Sequence, residues 1–183
     1  QCDVAILWTN LYDYYRKFNF ELAGSEVSFV IPPSYTKSSR PLTFTSQKPI
    51  APDAVLRVFN KHTVATVRTI DDVKKFLQIP QTQIYGAWEP DGKLAAYAIM
   101  GKGVDLTGYV HEWGGDIDAL QSLFSHIVRS KNENLVVIVP GHSKNLIQKM
   151  EQSGLIRHNG YLGMMRITNF DQISAKIKRA FRQ

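Results

Sequence analysis

The chain has 183 residues, 44% of them hydrophobic and 21% charged, with a net charge of +6. That balance is ordinary for a globular protein, and no apolar run reaches the roughly 18 residues that a membrane-spanning helix needs. A lone Cys2 excludes an internal disulfide and no Cys/His cluster has zinc spacing, so no metal site and a reducing, cytoplasmic setting are expected.

The first element is the apolar run Val4-Ala5-Ile6-Leu7-Trp8, with nothing ahead of it that resembles a signal peptide. A helix is expected from Asn10 to Phe18, followed by Phe20–Gly24 and a strand at Val27–Ile31. Residues 32–53 read as a linker. Pro32, Pro33, Pro41, Pro49 and Pro52 remove backbone donors and fix φ there, although Leu42-Thr43-Phe44 suits a short extended piece.

Beyond the linker, Val64–Arg68 has the alternation of a strand, and Thr69 followed by Asp71 and Asp72 is a helix start. That helix runs to Leu77 and stops before Pro80. Gln83–Trp88 and Lys93–Met100 flank Glu89-Pro90-Asp91-Gly92, a strong hairpin signal. Gly108–Trp113 is the next strand, broken by Gly114-Gly115-Asp116, and Ile117, Leu120, Phe124 and Ile127 share one face of the helix after it. Leu135–Val139 shows no alternation, as a strand buried on both faces should not. Asn145–Gln152 is helical with Gly154 as its cap, and Tyr161–Ile167 is a last strand.

Phe170, Ile173, Ile177 and Phe181 then fall at helical spacing beside Lys176, Lys178, Arg179 and Arg182. A terminal helix packed on the body, with cations near its C-terminal end, accounts for this basic patch better than nucleic-acid binding does.

The order of the first 31 residues returns late in the chain. Setting Asn10 against Asn145 brings Asn-Leu over Asn-Leu, and Asn19-Phe20 over Gly154-Leu155. Two copies of one unit are expected. Residues 1–31 would be the C-terminal remnant of a first domain, 32–53 the proline-rich linker, and 54–183 a second domain with a C-terminal helix.

Strand, helix, hairpin, strand, helix, strand, helix, strand is an order that resembles the GNAT superfamily of N-acetyltransferases. Tyr14-Tyr15-Arg16-Lys17-Phe18-Asn19-Phe20-Glu21 looks like that family's Tyr-x-x-x-Gly-Phe segment, with Asn19 at the glycine position. The resemblance covers residues 3–31 as the end of one such domain and 55–168 as a second. It implies an α/β fold with a mixed, mostly antiparallel sheet and helices on both faces. It also implies transfer of an acetyl group from acetyl-CoA to a small-molecule or peptide amine.

In that chemistry the amine attacks the thioester, and the departing thiolate benefits from a proton donor. Tyr15 stands where the family often has such a tyrosine, and simple ring packing is the alternative for it. Met150, at the same place in the second unit, cannot donate a proton. The family cradles the coenzyme A diphosphate in Gln/Arg-x-x-Gly-x-Gly/Ala at a helix N-terminus. Here Glu112-Trp113-Gly114-Gly115-Asp116-Ile117 matches only at Gly115, and Asp116 and Asp118 add negative charge beside it. Asp116 is also a natural N-cap. The second unit is therefore expected to be a degenerate, supporting one. A non-catalytic binding or regulatory module that kept the fold is the alternative.

Glu112, at a strand end, has the chemistry of a general base, with pairing to a nearby cation as the competing role. His126 reads as a helix-surface residue, and His142 follows a strand end where ligands often sit. Gly101, Gly103 and Gly108 mark a turn and not a phosphate loop.

Overall fold

The computed structural model describes residues 2–38 and 40–181. Arg182, counted in the basic patch, lies outside them. In chain order the elements are β1 Val4–Leu7, α1 Tyr12–Arg16, β2 Glu21–Ala23, β3 Glu26–Ile31, β4 Thr43–Ser46, α2 Pro52–Phe59, α3 Ile70–Leu77 and β5 Gln83–Trp88. There follow β6 Leu94–Lys102, β7 Asp105–Gly115, α4 Ile117–Lys131, β8 Leu135–Pro140, α5 Lys144–Gln152, β9 Arg157–Gly160, β10 Gly163–Ile167 and α6 Phe170–Ala180.

A seven-stranded sheet has the order β4-β5-β6-β7-β8-β3-β9. From β4 to β7 neighbours are antiparallel, and β7 and β8 are parallel. Alternation along β6 explains why helices cover both faces. Ala96, Ala98 and Met100 point into a core with α4 and α5, while Tyr97 and Ile99 point into a second core with α2 and α3. The expected mixed, mostly antiparallel α/β sheet is the observed one.

Local chemistry sets the helix starts. Thr69 and Asp72 form a reciprocal capping box ahead of α3. The Asp116 side chain accepts the Ala119 N–H ahead of α4, and Asn132, left-handed at φ 53°, closes that helix.

Contacts divide the chain into two compact units, residues 27–158 and residues 1–26 together with 159–183. This grouping differs from ranges of 1–31, 32–53 and 54–183, for reasons of strand pairing. β3 lies inside the seven-stranded sheet, between β8 and β9, whereas β10 lies between β1 and β2 in a separate three-stranded sheet. The stretch 32–53 is not only linker either, because β4 pairs with β5 from Thr43↔Trp88 to Ser46↔Tyr85.

Other expectations need correction. Val64–Arg68 is not a strand: its alternating valines are not buried against a sheet, Val64 being 60% and Val67 99% exposed. The neighbouring helix α2 has Pro52 in its first turn and Val55, Val58 and Phe59 inward. Gly114 and Gly115 do not break β7 but remain paired, with Tyr97 and Ala96. The terminal helix forms as expected, yet none of α6 is buried and Phe170 is 70% exposed.

The two similar segments share a detailed geometry. Asn19 and Gly154 both adopt left-handed φ, at 62° and 79°. Phe20 N–H donates to Tyr15 O, and Leu155 N–H to Met150 O, at 3.2 Å in each case. Asn19 N–H donates to Arg16 O and Gly154 N–H to Glu151 O, at 2.9 Å in each case. This helix end places Tyr15 and Met150 at matching positions.

Candidate functional site

β7 and β8 pair at Tyr109↔Val136 and Val110↔Val137, and towards Gly115 and Pro140 they pair no further. The Trp113 indole occupies the divergence, its Nε1–H donating to Ile138 O at 2.9 Å. His62 lies edge-on to that ring at 5.0 Å, and its Nε2 donates to Trp113 O at 3.0 Å. Around these two residues are adjoining depressions of about 320 and 210 Å³, both also lined by His142 and Ser143. They open at the carboxyl ends of the parallel pair, where open α/β sheets bind ligands. A larger cleft of about 640 Å³ near Lys48 and Lys74 contains neither histidine nor carboxylate.

Glu112 lines the smaller depression but is already engaged. Its two oxygens receive Arg68 Nη1 and Nη2 at 2.8 and 3.0 Å, and the Tyr97 O–H donates to Oε1 at 2.9 Å. The Arg68 guanidinium also sits 4.0 Å over the Phe59 ring. Burial, with the Glu112 carboxylate beside it, pushes the Tyr97 hydroxyl far above the usual phenol range, so it stays a donor. The pairing of Glu112 with a cation, foreseen as the competing role, is the arrangement present. Arg68 and His62 were missed in the sequence because their partners lie 44 and 51 residues away.

Tyr15 is half-buried on α1, its ring edge-on to Tyr14 at 5.1 Å and to Phe20 at 6.1 Å. It belongs to the smaller unit and Glu112 to the larger, so the two candidates sit in different units. His126 stacks on Phe44 at 4.6 Å, under the sheet edge rather than on an open surface. His142 stands at the mouth of the groove. Gly101, Gly103 and Gly108 serve the β6–β7 turn region, all at positive φ.

The start of α4 is where a coenzyme A diphosphate would need backbone donors. β7 runs to Gly115 and α4 begins at Ile117, so no glycine loop separates them. Asp116 Oδ1 accepts the Ala119 N–H at 3.1 Å and Arg40 Nη1 at 3.2 Å, and Arg40 is held further by Glu89 at 2.6 Å. The glycines are explained by packing. A Cβ on Gly115 would lie 2.3 Å from Ala95 O, and one on Gly114 would lie 2.7 Å from the Tyr97 ring. The residues present do not fit a diphosphate at this helix start. Among the described residues no group of three His, Cys, Asp or Glu is placed to hold a metal, and no helix is long and apolar enough to cross a membrane.

No protein-family model and no curated protein matches the sequence. Solved structures do match the fold. A protein of Enterococcus faecalis V583, a probable N-acyltransferase, superposes with TM-score 0.63 at 17% identity, over 90% of this chain and 45% of its own. A GCN5-related N-acetyltransferase of Anabaena variabilis gives TM-score 0.56 at 19% identity, over 91% and 46%. A tandem GNAT protein from the clavulanic acid biosynthesis pathway gives 0.55 at 9% identity, over 89% and 62%. The chain spans about half the length of the first two. Together with the sheet order and the two-faced helix packing, these likenesses establish that the chain has the mixed α/β fold of the GNAT acyltransferases.

Proposed function

We propose that this chain is part of a cytoplasmic N-acyltransferase that moves an acetyl group from acetyl-CoA to a small-molecule or peptide amine. On this reading the larger unit supports the enzyme without holding the acyl donor. The observation that carries the reading is the closed start of α4 inside an acyltransferase fold. Asp116 uses a donor and supplies negative charge, and Gly115 is packed against β6. Trp113 fills the divergence of β7 and β8 in the same unit. Residues 1–31 are then read as part of a first domain of the same kind, supported by the matched helix ends at Asn19 and Gly154.

Within that first domain we assign to Tyr15 the proton that the departing thiolate takes. Glu112 belongs to the supporting unit, where acting as a general base would require Arg68 to release it. The second reading is a non-catalytic binding or regulatory module. It is favoured by Met150, which occupies the Tyr15 position in the larger unit and is fully buried.

Calorimetric titration of acetyl-CoA into the 183-residue chain tests the supporting role and should give no binding; micromolar affinity would refute it. In the natural full-length protein, Tyr15→Phe should lower kcat by about 10²-fold or more with little change in KM. A full-length protein that neither binds acetyl-CoA nor releases free thiol from it sinks the enzyme reading and leaves the binding module.

A further inference from the structure

We propose that the cleft of about 640 Å³ between the β4–α2 connection and the C-terminal half of α3 binds a small hydroxylated anion, of the sugar-acid or sugar-phosphate type. Strand pairing sets this cleft apart from the groove at Trp113. Gln83 pairs with Met100 at one end of the sheet, whereas Ala96 pairs with Gly115 at the other. The cleft lies at the Gln83 end and the groove at the Gly115 end. A ligand in the cleft touches neither Tyr15 nor Glu112, so its binding does not depend on acetyl transfer.

Two walls of the cleft are held in an unfavourable backbone conformation. β4 ends at Ser46, and Gln47 turns the chain off the sheet at φ 54° while its N–H donates to Ile84 O at 2.8 Å. Pro49 and Pro52 then fix φ along that wall. Opposite it, Gln81 adopts φ 59° between two anchors. Gly103 N–H donates to Pro80 O at 3.0 Å, and the Thr82 hydroxyl donates to Gly101 O at 3.3 Å. Left-handed φ favours Gly or Asn, and a longer side chain there is strained. Gln47 and Gln81 are two of the five non-glycine residues with positive φ among those described, and both line this cleft. Glycine would relieve the strain but would remove the amide, so the amides themselves account for the choice of residue.

The chemistry of the lining names the ligand class. Lys48 and Lys74 are the charged groups, and no carboxylate lines the cleft against them. Lys74 meets Asp71 at 3.0 Å, but the two side chains are 52% and 71% exposed, and such a pair is weakly held. Lys48 and the amides of Gln47, Gln78 and Gln81 have no hydrogen-bond or ion-pair partner among the described residues. Each amide offers two donors and an acceptor, the complement of a hydroxyl group. Ile50, Leu77 and Ile84 form an apolar floor, continuous with the core under α2 and α3, for the C–H face of a sugar ring. A bare anion would leave the amides unused, and a neutral sugar would leave Lys48 unpaired.

Amide NMR of the 183-residue chain, titrated at constant ionic strength with glucose 6-phosphate, gluconate, glucose and inorganic phosphate, tests the proposal. At least one of the two sugar anions should shift the Gln47, Lys48, Gln78 and Gln81 amides saturably, with Kd below about 1 mM. Which of them binds distinguishes a phosphate from a carboxylate ligand. Glucose and inorganic phosphate should each bind about 10-fold or more weakly. Lys48→Gln should weaken the sugar anion by about 10-fold. Gln81→Gly should weaken it to a similar extent while leaving the thermal midpoint unchanged or raised, an outcome that a merely structural glutamine would not give. No saturable shift with either sugar anion up to about 10 mM overturns the proposal. Equal binding of inorganic phosphate also overturns it and marks the lysines as a surface for any ion. Full affinity in both variants overturns it as well. No acyl donor is present, so failure here is distinct from failure of the acetyltransferase reading.

Discussion

At the scale of single residues, the decisive group is the triad of Arg68, Glu112 and Tyr97. The Arg68 and Glu112 side chains are only 23% and 12% exposed, so neither charge is well served by water if its partner is removed. Arg68→Ala leaves a mostly buried carboxylate and strips a cation from the Phe59 ring. The expected loss is about 3 kcal/mol of unfolding free energy, read by urea denaturation. A loss below about 0.5 kcal/mol would mean that Glu112 is hydrated and available as a base. His126 makes a second residue-scale prediction. Burial lowers its pKa, with Arg129 acting in the same direction, so the folded state favours the neutral ring stacked on Phe44. A lowered folded pKa gives stability that is present above the unfolded value of 6.5 and lost as pH falls through the folded one. The fall in stability from about pH 8 to about pH 5 should therefore be steeper in the native chain than in His126→Phe. Equal slopes in the two proteins would contradict the assignment.

At the scale of elements, what the sequence showed and what it hid can be separated by range. The hairpin at Glu89–Gly92, the strand β8 and the caps at Thr69 and Asp116 are short-range chemistry and form where expected. β8 is not buried on both faces, however: Leu135, Val137 and Val139 are buried while Val136 and Ile138 between them are only half-buried. β4 was visible only as Leu42-Thr43-Phe44, and α2 was hidden behind the proline count of its surroundings. Pro52 in the first turn, followed by Val55, Val58 and Phe59 at helical spacing, was the available signal. The placement of β3 and β10 in each other's sheets leaves no local trace, since period-two alternation states that a face is buried but not in which sheet. The groove had the same obscurity: His142 was legible from its strand end, whereas His62 joins it only through the fold. The junction of β7 and α4 tests which role its glycines serve. Gly115 has φ +125° and its Cβ would meet Ala95 O, so Gly115→Ala should cost about 3 kcal/mol or more by thermal or urea unfolding. If the glycine instead existed for anion approach, the variant would keep its stability and lose only ligand binding.

For the whole molecule, the question is how two units of unequal core share one chain. The larger unit holds both buried clusters, with Phe29, Tyr97, Phe124 and Met150 fully enclosed. In the smaller unit Met164 is the one buried apolar residue among those described. With Met164 alone buried, the three-stranded sheet lacks the hydrophobic face that independent stability requires. The smaller unit should therefore open at a small fraction of the free energy that protects β5 to β8. Native-state hydrogen exchange on this chain should show β1, β2 and β10 exchanging by local opening, and β6 and β8 only by global unfolding. Heating should give two transitions, the earlier one leaving the Trp113 environment intact. A single cooperative transition with uniform protection would require a stabilising interaction in the smaller unit that its core does not supply.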